Sequence, residues 1–368
     1  MKKVIHLDDL LIYPQIGILV DSKTGNQLKT SLQNKFGSLK NAKGFLNISR
    51  FTLSYIGKKH IKMFNMVKIC NALDITLRSL ERNVVSITSH FKYKIKFPYE
   101  VTPAHFRVVA HIIGDGSYSN NSAYWIQKDV TPIIKLQNKI FKNEISINGR
   151  NCKRCSILNI YTKIVSVALD SRNAKNAEFI NKCLDIPKEF QIQILAALIE
   201  DEGCIRSKNC SFDIGMTNKE IILGIKNICN KLGYETSNIS IKDSRGFKTK
   251  DISKPIYNIS LHVLGVHRFY KDLMTINSEY SNLRLWKKQN ELENYVRVNS
   301  GKRVLIRNKN ENRIRYLLDN WEKRYISCRE INNLFKIKGN TTRSLVRRMF
   351  SMKLITKYQR GKYLYLKP

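Results

Sequence analysis

The sequence predicts an α+β protein, with a central duplicated domain flanked by two small basic modules rich in helices. Three observations lead there. Positive charge concentrates at the two ends of the 368-residue chain. The middle repeats one order of helical and strand-like periodicities. Short amphipathic runs separated by polar turns fill the flanks.

The chain carries 65 Lys+Arg against 29 Asp+Glu, a formal net charge of +36. Such an excess selects a polyanionic partner, above all nucleic acid. Residues 1–95 hold 16 basic and 5 acidic residues, and residues 301–368 hold 19 and 4. The segment between, 96–300, keeps 30 and 20 and is far more balanced. Modules at 1–95 and 301–368 around a domain at 96–300 follow from that segregation. A hydrophobic content of 42% supplies real cores and excludes a disordered tail. No run approaches about 18 consecutive apolar residues, so no membrane span is expected. An anionic membrane face is the less frequent polyanion partner, and nucleic acid without a membrane is the expectation. Asp8 and Asp9 interrupt the stretch where a signal peptide would need its apolar core. A cytoplasmic, nucleoid-associated location is therefore expected. The eight cysteines read as reduced thiols. Cys152-x-x-Cys155 is the one close pair, and two cysteines before a strand explain it better than zinc.

In the first module, Ser38–Leu46 reads as a helix, Asn47–Ser49 as a turn and Arg50–His60 as a second helix. Ile61–Leu73 and Leu77–Asn83 would follow as helices. This pattern is similar to phage-repressor-like helix-turn-helix domains, with a plain helical bundle as the alternative. The resemblance would turn Arg50, Thr52, Ser54, Tyr55, Lys58 and Lys59 toward the groove or the phosphates.

The central domain repeats itself. Phe106–Ser117 and Ile194–Ile205 are both apolar helical runs with small residues, closed by an acid and a glycine. After the first, strands are expected near 117–127, 145–150 and 156–161, with a helix near 132–143. Thr131-Pro132 supplies its N-cap and first-turn proline. After the second, strands are expected near 204–216, 237–243 and 256–262, with a helix near 219–231 capped by Asn218. Repeats at about 105–182 and 191–295 result. Ala110, Gly114, Ala196 and Ala197 would let the two motif helices approach closely. Their ends would then set Asp115 beside Glu202, followed by Gly116 and Gly203 as left-handed caps. A carboxylate at a helix C-terminus opposes the macrodipole, and a second alongside adds repulsion. Bound divalent cations, which prefer oxygen ligands, relieve both costs.

Leu195-AALIEDEG-Gly203 resembles the nine-residue signature of the LAGLIDADG homing endonucleases, and Val108-VAHIIGDG-Gly116 is a weaker copy. The resemblance covers about 105–295 and matches the single-chain, pseudo-twofold members. It implies two αββαββα repeats whose sheets form a saddle over double-stranded DNA. It also implies a monomer, with no small-molecule substrate. The eighth motif residues, Asp115 and Glu202, become the metal ligands, holding two or more Mg²⁺ ions between them, with Gly114 and Asp201 adjoining. Lys287 and Lys288 become the basic residues near the scissile phosphates. The first motif departs from the signature, with Ile113 for the usual sixth-position acid and His111 for a large apolar residue.

The two-residue strand period gives the DNA-facing positions. Phe212, Ile214 and Met216 form one face and Ser211, Asp213 and Thr217 the other. Tyr257, Ile259 and Leu261 oppose Asn258, Ser260 and His262. Gln127, Asp213, Asn258, Ser260 and His262 are thus expected toward bases. Arg206, Lys208, Lys242 and Arg245 are expected over phosphates, on turns or strand ends.

The last module offers helices at 309–322, 328–335 and 340–351 and a hairpin turning at Gly361. It resembles a winged helix. Arg343, Arg347 and Arg348 lie on the third helix, and Lys357, Arg360 and Lys362 on the wing.

A site-specific, Mg²⁺-dependent double-strand DNA endonuclease is the function expected. The alternatives are a DNA-binding regulator that keeps the scaffold without catalysis, and an RNA-splicing maturase. The ends of the chain carry no splice-junction residues, so a free-standing or intron-encoded protein is expected over an intein.

Overall fold

The computed structural model describes residues 1–89, 91–119, 122–141, 154–157, 159–170, 177–207, 211–242, 255–280, 283–299, 313–314, 317, 325–335, 337, 339–359 and 362–365. The expected strand at 145–150 and Cys152, Lys208, Arg245, Arg360 and Gly361 lie outside them. The fold is α+β. It divides into two compact units, Met1–Val296 and Arg297–Pro368. One apolar core runs through the first unit from Ile5 to Tyr295, so the boundary expected near residue 95 falls inside it. No described helix is long and apolar enough to cross a membrane.

The amino-terminal region begins with β1 (Val4–Ile5) and β2 (Gly17–Val20). The helices α1 (Ser22–Phe36), α2 (Leu39–Leu46) and α3 (Arg50–Ser54) follow. Side chains of Asp21, Ser38 and Ser49 accept backbone N–H bonds at the three helix starts. Next come β3 (Ile61–Lys62), α4 (Met63–Ala72), β4 (Val84–Ser89), β5 (Phe91–Tyr93) and β6 (Tyr99–Glu100). The order β3-β2-β4-β5 makes a four-stranded antiparallel sheet, and β6 returns to pair with β1.

This corrects the all-helical reading of residues 26–85. The second helix stops at Ser54 instead of His60, because Gly57 adopts a positive φ of 77° and crosses α1 at Gly25. A Cβ on Gly25 would stand 2.3 Å from the Gly57 Cα, so two backbones meet there. Residues 61–62 then pair with β2 before α4 begins. Residues 77–83 form a 3₁₀ turn with Thr76 as its cap.

The central order appears twice. First come α5 (Pro103–Ile113), the hairpin β7 (Gly116–Ser119) and β8 (Ser122–Ile126), and α6 (Thr131–Phe141). They are followed by β9 (Arg154–Ile157), α7 (Asn159–Leu169) and α8 (Ala177–Lys182). Then come α9 (Lys188–Glu202), β10 (Gly203–Arg206), β11 (Ser211–Met216), α10 (Lys219–Lys231), β12 (Ser240–Lys242), β13 (Ile256–Ser260) and α11 (Val263–Glu279). The helix α12 (Gln289–Asn299) follows, and its residues up to Val296 belong to this unit. Strand orders are β7-β8-β9 and β10-β11-β13-β12. The hairpin and the returning strand occupy matching places in both. Residues 159–161, expected in a strand, open α7 instead. Asn218 caps α10, its side chain accepting the Glu220 and Ile221 N–H groups.

The carboxy-terminal unit contains β14 (Tyr325–Ser327), α13 (Cys328–Phe335), α14 (Gly339–Ser351), β15 (Ile355–Gln359) and β16 (Lys362–Tyr365). Its sheet runs β14-β16-β15. β14 is too short to show a strand period and was not legible beforehand. Thr342, Leu345, Val346 and Met349 bury one side of α14, while Arg343 and Arg347 are exposed and Arg348 is half-buried. Lys357 on β15 is exposed.

Candidate active site

The helices α5 and α9 pack directly on each other, with Ala110, Ala196 and Ala197 fully buried. Each gives way to a strand at a glycine, but neither glycine is a left-handed cap. Gly203 has φ −77° and ψ 147°, and Gly116 is not among the positive-φ residues. What both need is space. A Cβ on Gly116 would lie 2.3 Å from the Ile112 Cα, and one on Gly203 would lie 2.4 Å from the Ile199 oxygen. In each repeat the strand therefore folds back on the helix residue four positions earlier. That shared fold-back places each acid directly before its glycine, although Glu202 is the last residue of α9 whereas α5 stops at Ile113, two residues short of Asp115.

The two carboxylates share one electrostatic environment. Burial and the nearby Glu202-side acid Asp201 push Asp115 above the usual carboxylate range, while Lys287 and Lys288 pull it down. Burial raises Glu202 further, to about 7, with Asp115 and Asp201 adding repulsion and Lys288 opposing it. Asp115 accepts a hydrogen bond from the Gln127 side-chain amide, and Gln127 accepts one from Lys287 Nζ at 2.7 Å. Among the described residues no three His, Cys, Asp or Glu side chains close around a single point as a protein-only metal cage. Mg²⁺ does not require one, since it is commonly held by one or two carboxylates together with substrate phosphates. Two half-buried oxygen donors with raised proton affinity fit such an ion.

Glu202 makes a pH prediction. Its folded value lies above the ordinary 4.5, so the folded state binds more protons than the unfolded chain between pH 4.5 and about 7. Any stability Glu202 allows is fully present below pH 4.5 and is lost as pH rises through about 7. In metal-free buffer, Glu202→Gln should match the native Tm at pH 4.5 and exceed it at pH 8. Mg²⁺ should raise the native Tm at pH 8 and move the variant less. Parallel Tm curves for the two proteins across this range would refute the shift.

Three consecutive acids on α9 point three ways, as helical spacing requires. Glu200, buried, accepts the backbone N–H groups of Trp286 at 2.9 Å and Lys287 at 3.1 Å. It thereby fixes the segment that carries both lysines. Lys288 turns back to donate to the Ile199 and Gly203 carbonyls at 2.9 and 2.6 Å. It neutralises the negative end of α9.

Asp201, expected beside the metal, is committed elsewhere. Its side chain is fully buried, and its two oxygens accept from His111 Nδ1 at 2.9 Å and Trp125 Nε1 at 3.1 Å. Gly114 makes room for it: a Cβ there would meet Asp201 Oδ2 at 2.6 Å. Gly114 thus supplies space for Asp201 and no side-chain ligand.

Arg107 Nε donates to His111 Nε2 at 3.1 Å. Arginine cannot accept, so His111 is the neutral tautomer with its proton on Nδ1. The imidazole stacks on Trp286 at 4.8 Å and packs against Trp125 at 4.7 Å, while the Arg107 guanidinium lies 4.7 Å over Trp286. The sequence alone singles out none of Arg107, Trp125 or Trp286, and it favours a packing or polar role for His111 over a catalytic one. The available signal was a histidine and an arginine four residues apart on a helix whose one other polar residue is His105.

The second sheet places the remaining positions. Asp213 lies opposite Ser260 and accepts from Ser211 and Ser260 at 2.6 and 2.5 Å. Phe212 and Ile214 are fully buried on the other face. Arg206 and His262 are exposed, and Lys242 ends β12. Asn258, expected toward bases, is 5% exposed. It sits between β11 and β12, opposite Gly215 and Ser240, where close neighbours cover it. Arg50, Lys58 and Lys59 are exposed in the amino-terminal region.

No protein-family model matches the chain, and no curated protein matches it in sequence. Among solved structures it is similar to mesophilic variants of the homing endonuclease I-DmoI. The identity is 18% and the TM-score 0.31, over 48% of this chain and 96% of that one. I-DmoI in complex with DNA and Ca aligns at 18% identity and a TM-score of 0.33, over 52% of this chain and 97% of that one. Full-length DUF199/WhiA from Thermatoga maritima aligns at 12% identity and a TM-score of 0.32, over 68% and 92%.

Proposed function

We propose that the chain is a divalent-metal-dependent, site-specific DNA endonuclease of the LAGLIDADG homing type, working as a monomer through its internal repeat. The observation that carries this reading is the matched placement of Asp115 and Glu202. Glu202 ends α9 and Asp115 lies two residues past the end of α5, each directly before a space-limited glycine, and both are held where ionisation is costly without a cation. In this reading the two carboxylates hold Mg²⁺. When bound, the metal supplies water activation and stabilisation of the leaving 3′ oxygen. Lys287 attracts the phosphate beside Asp115, and Gln127 orients the Asp115 carboxylate. Glu200 holds the backbone from which Lys287 projects. The polar face of β11 and β13, with Asp213 and Ser260, meets base edges, and Arg206 meets phosphates. The exposed arginines of α14 add a further DNA contact of winged-helix type.

A second reading, a DNA-binding regulator without catalysis, is favoured by the Lys287–Gln127–Asp115 chain, which ties the first carboxylate to protein groups. One selection separates the two. The purified protein is bound to a random duplex library without metal, Mg²⁺ is added, and new ends are sequenced. Breaks at one defined sequence support the endonuclease. Sequence-specific binding with intact DNA supports the regulator.

A further inference from the structure

Among the described residues four phenylalanines stand well out into solvent, and three of them lie between positions 45 and 64. Phe45 is 73% exposed, Phe51 69% and Phe64 54%. They project from α2, α3 and α4, consecutive helices that pack together at one corner of the amino-terminal region. Lys68 ties two of these helices: its Nζ lies 4.4 Å from the Phe64 ring and donates to the Leu46 carbonyl, next to Phe45. Phe51 meets Tyr55 edge-on at 4.8 Å, and Lys59 Nζ sits 4.2 Å from the Tyr55 centroid. From residue 35 to 68 the sequence has eight Lys+Arg and not one Asp or Glu.

We propose that this corner binds an unpaired DNA strand, its bases stacking on Phe45, Phe51 and Phe64 and its phosphates drawn by the surrounding lysines. Exposed rings interleaved with positive charge are the chemistry of single-strand binding, because every base offers a π-face whatever its sequence. Paired DNA offers no such face from its sides. Nor can α3 serve as a groove-reading helix, since it has five residues. The charge excludes an acid-free apolar contact with another basic surface, including a second copy of this corner. The choice of DNA over RNA rests on the endonuclease reading. Stacking itself does not.

The test uses the full-length protein in EDTA, so that its outcome does not depend on cleavage. An oligothymidylate carrying 2-aminopurine reports affinity by titration and stacking by quenching of its fluorescence. Phe45→Ala, Phe51→Ala and Phe64→Ala, all at exposed positions, should each weaken binding about fivefold or more and reduce the quench. Affinity for duplex DNA of equal length should stay within about twofold, set by phosphate contacts elsewhere. Unchanged oligothymidylate binding by the triple variant overturns the proposal. So does a loss shared equally by single-stranded and duplex DNA. Oligouridylate bound about tenfold tighter than oligothymidylate overturns the commitment to DNA. A native dimer that the triple variant converts to monomer assigns the rings to protein contact and also overturns it.

Discussion

Asp115→Asn and Glu202→Gln should each reduce cleavage at the selected site by at least about 10²-fold while leaving metal-free DNA binding nearly unchanged. Both substitutions keep shape and remove only charge. Asp115 stands half-buried beside Asp201, and Glu202 beside both, so neutralisation relieves repulsion in the free protein and should not unfold it. On the proposed function, what the substitutions remove is affinity for a divalent cation where phosphate charge must be balanced. The measurement is a pair: end formation on labelled substrate with Mg²⁺, and fluorescence anisotropy without it. Undiminished cleavage by both single variants would sink the assignment. A variant that nicks one strand only would divide the carboxylates between the two strands. Lys287→Met should lower cleavage less, because Lys287 touches Asp115 by charge and through Gln127 and would not itself hold the metal.

Local signals were the legible ones. Asn218 followed by an amphipathic run gave α10 its residues 219–231. Alternation in 211–216 gave the correct buried face, Phe212 and Ile214. The second motif run ended its helix at Glu202 as the spacing implied, but the first helix stops at Ile113, two residues before Asp115. The reason for Gly116 and Gly203 was steric and not conformational. What could not be read was pairing across distance. β2 is a four-residue apolar run, its partner β3 has two residues, and its other partner β4 begins more than sixty residues beyond β2. No period is visible in elements so short. The early end of α3 depends on Gly57 meeting Gly25 of another helix. The same limit hid the site's supports. Asp201 reads as one acid in a run of three until the fold brings His111, 90 residues away, to its carboxylate. Asn258 alternates as a polar surface residue, yet the neighbouring strands bury it.

His111→Ala should destabilise the first unit by about 3 kcal/mol or more, the combined cost of a buried carboxylate left short of a hydrogen-bond donor and of the cavity the ring leaves. Asp201 is a buried carboxylate with two donors, His111 and Trp125. Removing the imidazole takes one donor and opens a gap between Trp125 and Trp286, and it also leaves the Arg107 Nε–H unsatisfied. Asp201→Asn should cost less, because it removes the charge and keeps an acceptor for one donor. Urea unfolding followed by tryptophan emission is the suitable measurement, since two of the chain's three tryptophans line this network. The network also carries a pH signature. Burial holds His111 below its ordinary 6.5, with Asp201 opposing that shift. Below pH 6.5 the unfolded chain therefore takes up a proton that the folded ring resists. Stability from the neutral ring is present above pH 6.5 and is lost as pH falls from there toward the folded-state value. This slope is opposite to that of Glu202, and His111→Gln should remove it alone. If His111→Ala unfolds within about 0.5 kcal/mol of the native chain, a span typical of neutral surface changes, then the small residues of α5 and α9 hold the interface without the network.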